Sequence, residues 1–191
     1  MNFAILLNSE LMRYPITLYG DSVLRRRADE ILEGEIDLKV LSNDMFETMH
    51  SAEGIGLAAP QIGISKRIFV VDGSMLEDED MKKFKQVFIN PVIEDESGEV
   101  WSFEEGCLSI PNVRGDVGRR SVIKITYYDE SWQKKTEEFG GMRARVIQHE
   151  FDHIEGKLFV DYLSPIKKKL LKNKLSEIMK GKVETHYKVK K

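Results

Sequence analysis

Two histidines and a glutamate define the chemistry open to this chain. They lie in Gln148-His149-Glu150-Phe151-Asp152-His153, an H-E-x-x-H pattern. On a helix, residues four apart share a face, so the two imidazoles stack one turn apart and can hold one divalent metal. Glu150 directly follows the first ligand, where its carboxylate reaches a water beside the metal rather than the metal itself. The bland alternative is a pair of surface histidines and a solvated glutamate, and the spacing favours the metal site over it.

Two histidines do not complete a site, so the third ligand decides the class. An H-E-x-x-H-x-x-G-x-x-H site needs a last histidine at 159; Gly156 matches, but position 159 is Phe159. Glu177, on a later helix, is a second choice. The third is Cys107, the only cysteine, set in Glu104-Glu105-Gly106-Cys107-Leu108-Ser109-Ile110-Pro111. A thiolate is a strong ligand for zinc or ferrous iron. A lone cysteine is ordinarily a small buried hydrophobe; a histidine pair lacking a partner shifts the balance toward ligation.

These residues need elements to place them. The histidine pair falls in a predicted helix from about Met142 to Glu155. Its apolar residues Met142, Val146, Ile147, Phe151 and Ile154 wrap most of its circumference, as for a helix buried against sheet, and Gly156 suits its C-terminal cap. Upstream, Asp37 to about Ala52 reads as an amphipathic helix on the stripe Leu38, Leu41, Met45, Met49 and Ala52. Gly54-Ile55-Gly56-Leu57-Ala58-Ala59-Pro60-Gln61 formally matches a dinucleotide fingerprint. A helix precedes it, however, and Pro60 and Gly63 bar a regular helix behind it, leaving a Gly-rich loop whose backbone can approach a ligand. Strands are predicted at Arg67–Asp72, at Phe88–Pro91 and at Glu99–Phe103, with a turn at Gly98. Ser121–Tyr128 pairs with Lys134–Phe139 across Asp129-Glu130-Ser131, and Lys157–Val160 reads as a short strand. Ser164-Pro165 caps a last helix striped by Ile166, Leu170, Leu175, Ile178 and Met179.

Composition bounds the rest. The chain has 191 residues, with 41% hydrophobic and 32% charged residues, enough for one domain with a sizeable core. A net charge of −3 gives no global bias toward nucleic acid, and DNA is not an expected partner. One cysteine excludes an internal disulfide and fits a reducing compartment. The apolar run Phe3 to Leu7 is too short for a signal peptide or membrane span, so a cytoplasmic protein with no membrane partner is expected. Residues 1–14 read as an N-terminal extension, 15–181 as a single catalytic domain with its C-terminal helix, and 182–191 as a basic tail. From Ser164 onward ten lysines oppose Glu177 and Glu184, a net of +8 that leaves −11 elsewhere. The plain reading is a solubilising tail; the functional one is a phosphate-bearing partner such as RNA.

Three stretches together resemble the peptide deformylase family: Gly54 to Gln61, Glu105-Gly106-Cys107-Leu108-Ser109, and Gln148 to His153. Each is of modest specificity; the three in this order are highly specific, and the resemblance runs from Tyr14 to the final helix. It implies an α+β fold, with small antiparallel β-sheets packed around a central helix that carries the H-E-x-x-H motif, and a C-terminal helix. It implies a hydrolase that removes the N-formyl group from the formyl-methionine of newly synthesised polypeptides, releasing formate. Cys107, His149 and His153 would hold Fe2+, with Zn2+, Ni2+ or Co2+ able to substitute. Glu150 would move the proton, and Gln61 and the Leu108 N–H would face the developing oxyanion. The substrate would meet Gly54, Ile55, Gly56, Phe103, Arg114, Met142, Arg145 and Val146; the charge of Arg145 puts the polarity of the methionine pocket in question. Arg119 stands where a cation would pair with Glu105. Some members dock on the ribosome through the terminal helix, a role for the lysines here.

Overall fold

The computed structural model describes residues 12–190, so most of the expected N-terminal extension lies outside the described part. Asp37 accepts the Val40 N–H and starts α1 (Leu38–Ser51), with the Leu38, Leu41, Met45 and Met49 stripe buried as its spacing predicts. Strand β1 (Gly56–Ala58) runs through the Gly-rich loop. Pro60 then opens a single 3-10 turn, Ala59–Ile62, which ends at Gly63 with a φ of 83°. Next come β2 (Ile68–Asp72), a one-turn α2 (Glu79–Lys82), β3 (Lys85–Cys107), β4 (Ile110–Tyr128) and β5 (Lys134–Gly140). The chain closes with α3 (Gly141–Ile154) and α4 (Pro165–Met179). The five strands form one antiparallel sheet in the order β1-β2-β3-β4-β5.

The two strands expected on either side of Gly98 are one long strand. The register shifts at Ile89/Val92, Ile93/Asp95 and Ser97/Val100 bend β3 without breaking it. The first shift falls at Asn90-Pro91, where the proline has no N–H to give the ladder. Asn90, at a φ of 48°, exchanges two side-chain bonds with the Ile31 backbone, 2.9 and 2.8 Å. Gly98, at a φ of 74°, makes a bulge rather than a turn.

Two further expectations need correction. Residues 159–162 form a 3-10 turn, not a strand, because the Asp161 carboxylate accepts the Leu158 N–H at 2.9 Å and closes the chain on itself. On α4, Ile166 and Leu170 are 74% and 78% exposed; the inward face is Leu171, Leu175 and Ile178, which packs on the β3–β4 tip and Phe159. Among the described residues no helix is long and apolar enough to cross a membrane.

The core sits on both sides of α3 and the sheet. One cluster joins α1 to β1, β2 and the start of β3; a second joins α3 to β2, β3 and β4. Helix α3 is buried around most of its girth, as its sequence predicts. Its polar residues therefore need partners inside the protein. Gln148 donates to the Arg120 and Ala144 carbonyls, both at 3.0 Å.

Candidate active site and metal centre

The β3–β4 hairpin turns at Leu108-Ser109 and carries Cys107 at its tip, directly over α3. There the sulfur lies 3.3 Å from His153 Nε2. One donor atom from each of Cys107, His149 and His153 falls within 4.8 Å of the others. The 42 and 46 residues that separate the cysteine from the histidines are closed by the hairpin and helix alone. Glu177, the alternative third ligand, is on the exposed part of α4 and pairs with Lys180 and Lys182.

The surroundings orient this set. Glu105, two residues before the cysteine, accepts from His149 Nδ1 at 2.9 Å, which fixes the tautomer and leaves Nε2 as the donor. Arg119 grips the same carboxylate twice, Nε to Oε1 at 2.7 Å and Nη2 to Oε2 at 3.0 Å. Its third bond, at 2.7 Å, goes to Asp152, which also accepts from the Tyr162 hydroxyl at 2.9 Å. Asp152 and Tyr162 were not singled out from the sequence, although Asp152 stands inside the motif itself.

Arg145 settles among these groups too. Its guanidinium donates to Glu105 at 2.9 Å and to the carbonyls of Val117 and Trp101 at 2.8 and 2.6 Å, stacking on the Trp101 ring. The residue is 2% exposed. Its charge is thus tied to Glu105, and the cleft beside it is otherwise bordered by Ile55, Phe103, Met142 and Val146.

Electrostatics follow from burial. Burial raises the Glu105 carboxyl, but His149 and Arg119 outweigh it and hold Glu105 far below the usual carboxylate range. Burial opposes charge on His149, yet the Cys107 sulfur and Glu105 keep it well above the ordinary histidine value. His153 is held well below that value by burial and by the neighbouring His149 charge. Burial pushes Glu150 up to about 7, against the pull of His149. Its Oε2 has no hydrogen-bond partner, and neither has His153 Nδ1. A buried carboxyl near neutrality without a partner is suited to exchanging a proton.

The Gly-rich loop meets the site from the other side. A Cβ on Gly56 would stand 2.4 Å from Glu150 Oε1, and one on Gly54 would stand 2.9 Å from the Leu108 side chain. Both glycines are therefore needed for close approach. Gln61 is 1% exposed. Its Oε1 accepts the Ala58 N–H at 2.8 Å, which turns Nε2 toward the Cys107 sulfur, 3.5 Å away.

One cleft joins these groups. Its volume, about 1200 Å³, suits a stretch of extended peptide rather than a single amino acid. Gly54, Ile55, Gly56, Gln61, Phe103, Leu108, Arg114, Met142, Arg145, Val146, His149 and Glu150 all border it. So do Leu76 and the segment from Glu184 to Tyr187, which the sequence reading left out. The alternation of Thr185, Tyr187 and Val189 with polar or charged residues is the signal that points to that segment.

The donor set fits a divalent transition metal: one thiolate, two imidazoles, and an acceptor fixing the back of His149. Three protein ligands are what a catalytic site keeps. A family model described as "Polypeptide deformylase" matches residues 13–169. A peptide deformylase of Cytophaga hutchinsonii is 55% identical over 179 residues, covering 94% of this chain and 97% of that relative. One from Flavobacterium psychrophilum is 50% identical over 188 residues, covering 94% and 97%. Among solved structures, peptide deformylase from Thermus thermophilus superposes with a TM-score of 0.79 at 39% identity, covering 89% of this chain and 99% of that one. An inhibitor complex of the Plasmodium falciparum enzyme gives 0.75 at 39% identity, covering 86% and 99%. The chain belongs to the peptide deformylase family, hydrolases that remove the N-formyl group from new polypeptides.

Proposed function

We propose that the cleft deformylates the N-terminal formyl-methionine of nascent polypeptides with Fe2+ held by Cys107, His149 and His153. The observation that carries this reading is the convergence of the three donors with a buried, partnerless Glu150 near neutrality. The bound metal would act as a Lewis acid and make water a nucleophile near neutral pH. Glu150 takes the proton of the attacking water and returns it to the departing amine. Gln61 Nε2 and the Leu108 N–H donate to the formyl oxygen as charge grows on it. Strand β1 is the end strand of the sheet and the backbone from Gly54 leads into it, which supports pairing of Gly54–Gly56 with an extended substrate. Ile55, Phe103, Met142 and Val146 receive the methionine side chain. Arg145 supports that wall through Glu105 rather than offering charge to it, and exposed Arg114 meets the peptide further out.

A thiolate with two imidazoles accepts Zn2+, Ni2+ or Co2+ as well as Fe2+. The working place is the cytoplasm. The lysines of α4, with the exposed Ile166 and Leu170, suit docking on the ribosome, where phosphate and apolar surface lie together. The test is formate release from a formyl-methionyl peptide by an anaerobic preparation whose metal is measured in parallel. Release with Fe2+ bound, and loss of both metal and activity in Cys107→Ala, is the expected result. No formate from the iron-loaded protein overturns the reading.

A further inference from the structure

The cleft has a wall that its chemistry does not account for. After α4 the chain turns back and runs from Val183 to Lys190 along the body. Ile16 N–H donates to the Lys188 carbonyl and Lys190 N–H to the Ile16 carbonyl, each at 2.8 Å. Val183, Thr185, Tyr187 and Val189 face inward while the residues between them are exposed. The Tyr187 hydroxyl donates to the Leu108 carbonyl at 2.7 Å. The Glu184 carbonyl accepts from Asn112 at 3.3 Å, and His186 Nε2 stands 3.8 Å from Glu53 on the facing rim. The family model matches up to residue 169, and this segment lies after it.

We propose that residues 183–190 form a strap that completes the substrate cleft. In it, Tyr187 is a positioning residue for Leu108, and Glu184 and His186 meet the peptide downstream of methionine. The inference rests on the deformylase reading above. Both carbonyls of the Leu108-Ser109 turn are anchored from outside the hairpin. Ser109 accepts the Tyr19 N–H at 2.8 Å, and Leu108 accepts from Tyr187. Segment 16–19, which pairs with the strap, also donates from Thr17 N–H to the Gln61 carbonyl at 2.7 Å. Both proposed oxyanion donors thus hang on one small framework of which the strap is the outer member. The His186–Glu53 pair is exposed and weak, so these side chains can turn to a substrate without loosening the strap.

The experiment compares wild type, Tyr187→Phe and the double variant Glu184→Ala/His186→Ala at equal metal content. The substrates are a formyl-methionyl dipeptide and a formyl-methionyl tetrapeptide. Tyr187→Phe should lower kcat on both by about 2- to 10-fold, the equivalent of one neutral hydrogen bond, with KM little changed. Amide exchange at Leu108–Ile110 should quicken in the same variant, a readout independent of turnover. The double variant should raise KM for the tetrapeptide several-fold more than for the dipeptide. Wild-type kcat and wild-type exchange in Tyr187→Phe would overturn the positioning role, and equal KM changes for the two peptides would overturn the wall. If wild type itself releases no formate, the deformylase reading falls instead, and the exchange result alone decides whether Tyr187 anchors the turn.

Discussion

Replacing Arg119 by alanine removes three hydrogen bonds at once, two to Glu105 and one to Asp152, all between buried groups. Breaking a buried ion pair costs about 3–5 kcal/mol, because it leaves charge without compensation. Here Glu105 keeps Arg145 and His149, and Asp152 keeps the Tyr162 hydroxyl. The cost should therefore lie at the lower end, about 3 kcal/mol. At about 2–4 °C per kcal/mol for a chain of this size, Tm falls by about 6–12 °C. Glu105 also fixes His149, so metal affinity should drop by about 10- to 100-fold. Arg119→Lys keeps a charge but not the two-pronged grip and should fall between the two. Calorimetry at matched metal load and competition with a chelator measure both effects. The pH dependence has a definite sign. The folded Glu105 value is depressed below 4.5, so its contribution is present above about that pH and fades as acid takes the pH toward the folded value. The gap between wild type and Arg119→Ala should close in that direction only. A Tm within about two degrees of wild type, with unchanged metal retention, refutes the reasoning.

Glu150→Gln should keep its fold and metal while losing about 10²–10⁴ in turnover, and wild-type deformylation by it would exclude proton transfer there. Gln61→Ala should cost about 10²–10³ in kcat with little change in substrate binding; a change confined to KM would move Gln61 to a binding role. Gly56→Ala puts a methyl 2.4 Å from Glu150 Oε1, and the displaced carboxylate should lower turnover by about 10²-fold with metal retained. Since His149 holds its proton above the ordinary histidine value, metal must displace that proton. Retention against a chelator should climb as pH rises above the ordinary histidine value, with proton release on loading, and a flat profile contradicts this.

The chemistry was more legible than the shape. H-E-x-x-H placed its histidines one turn apart, and Asp37, Ser164 and Pro165 began their helices where capping rules put them. What misled was local composition overruled by distant partners. Leu158, Phe159 and Val160 look like a strand, yet Asp161 folds them into a turn. Gly98 looks like the end of a strand, yet continuous pairing with β4 carries β3 through it. On α4 two apolar stripes compete, and only contact with Val113, Val117 and Phe159 selects the inward one. The alternation of Thr185, Tyr187 and Val189 marks the strap, but Tyr187 lies 79 residues from the Leu108 carbonyl it holds, so no spacing rule links the two.

The long β3–β4 hairpin acts as a ruler for Cys107. Side chains alternate across a strand at about 3.4 Å per residue, so the loss of one residue between Val100 and Gly106 would turn the thiolate to the opposite face. The loss of two would restore the face but shift the sulfur by about 7 Å, outside the reach of either histidine. From Val100 to Gly106 the pairing with Arg114–Arg120 is unbroken; register shifts lie on either side of it, at Asn90, Glu94 and Gly98 before it and at Gly106/Cys107 after it. Insertions and deletions in this lineage should therefore collect before Val100, while the stretch from Val100 to Gly106 keeps one fixed length however far its sequence drifts.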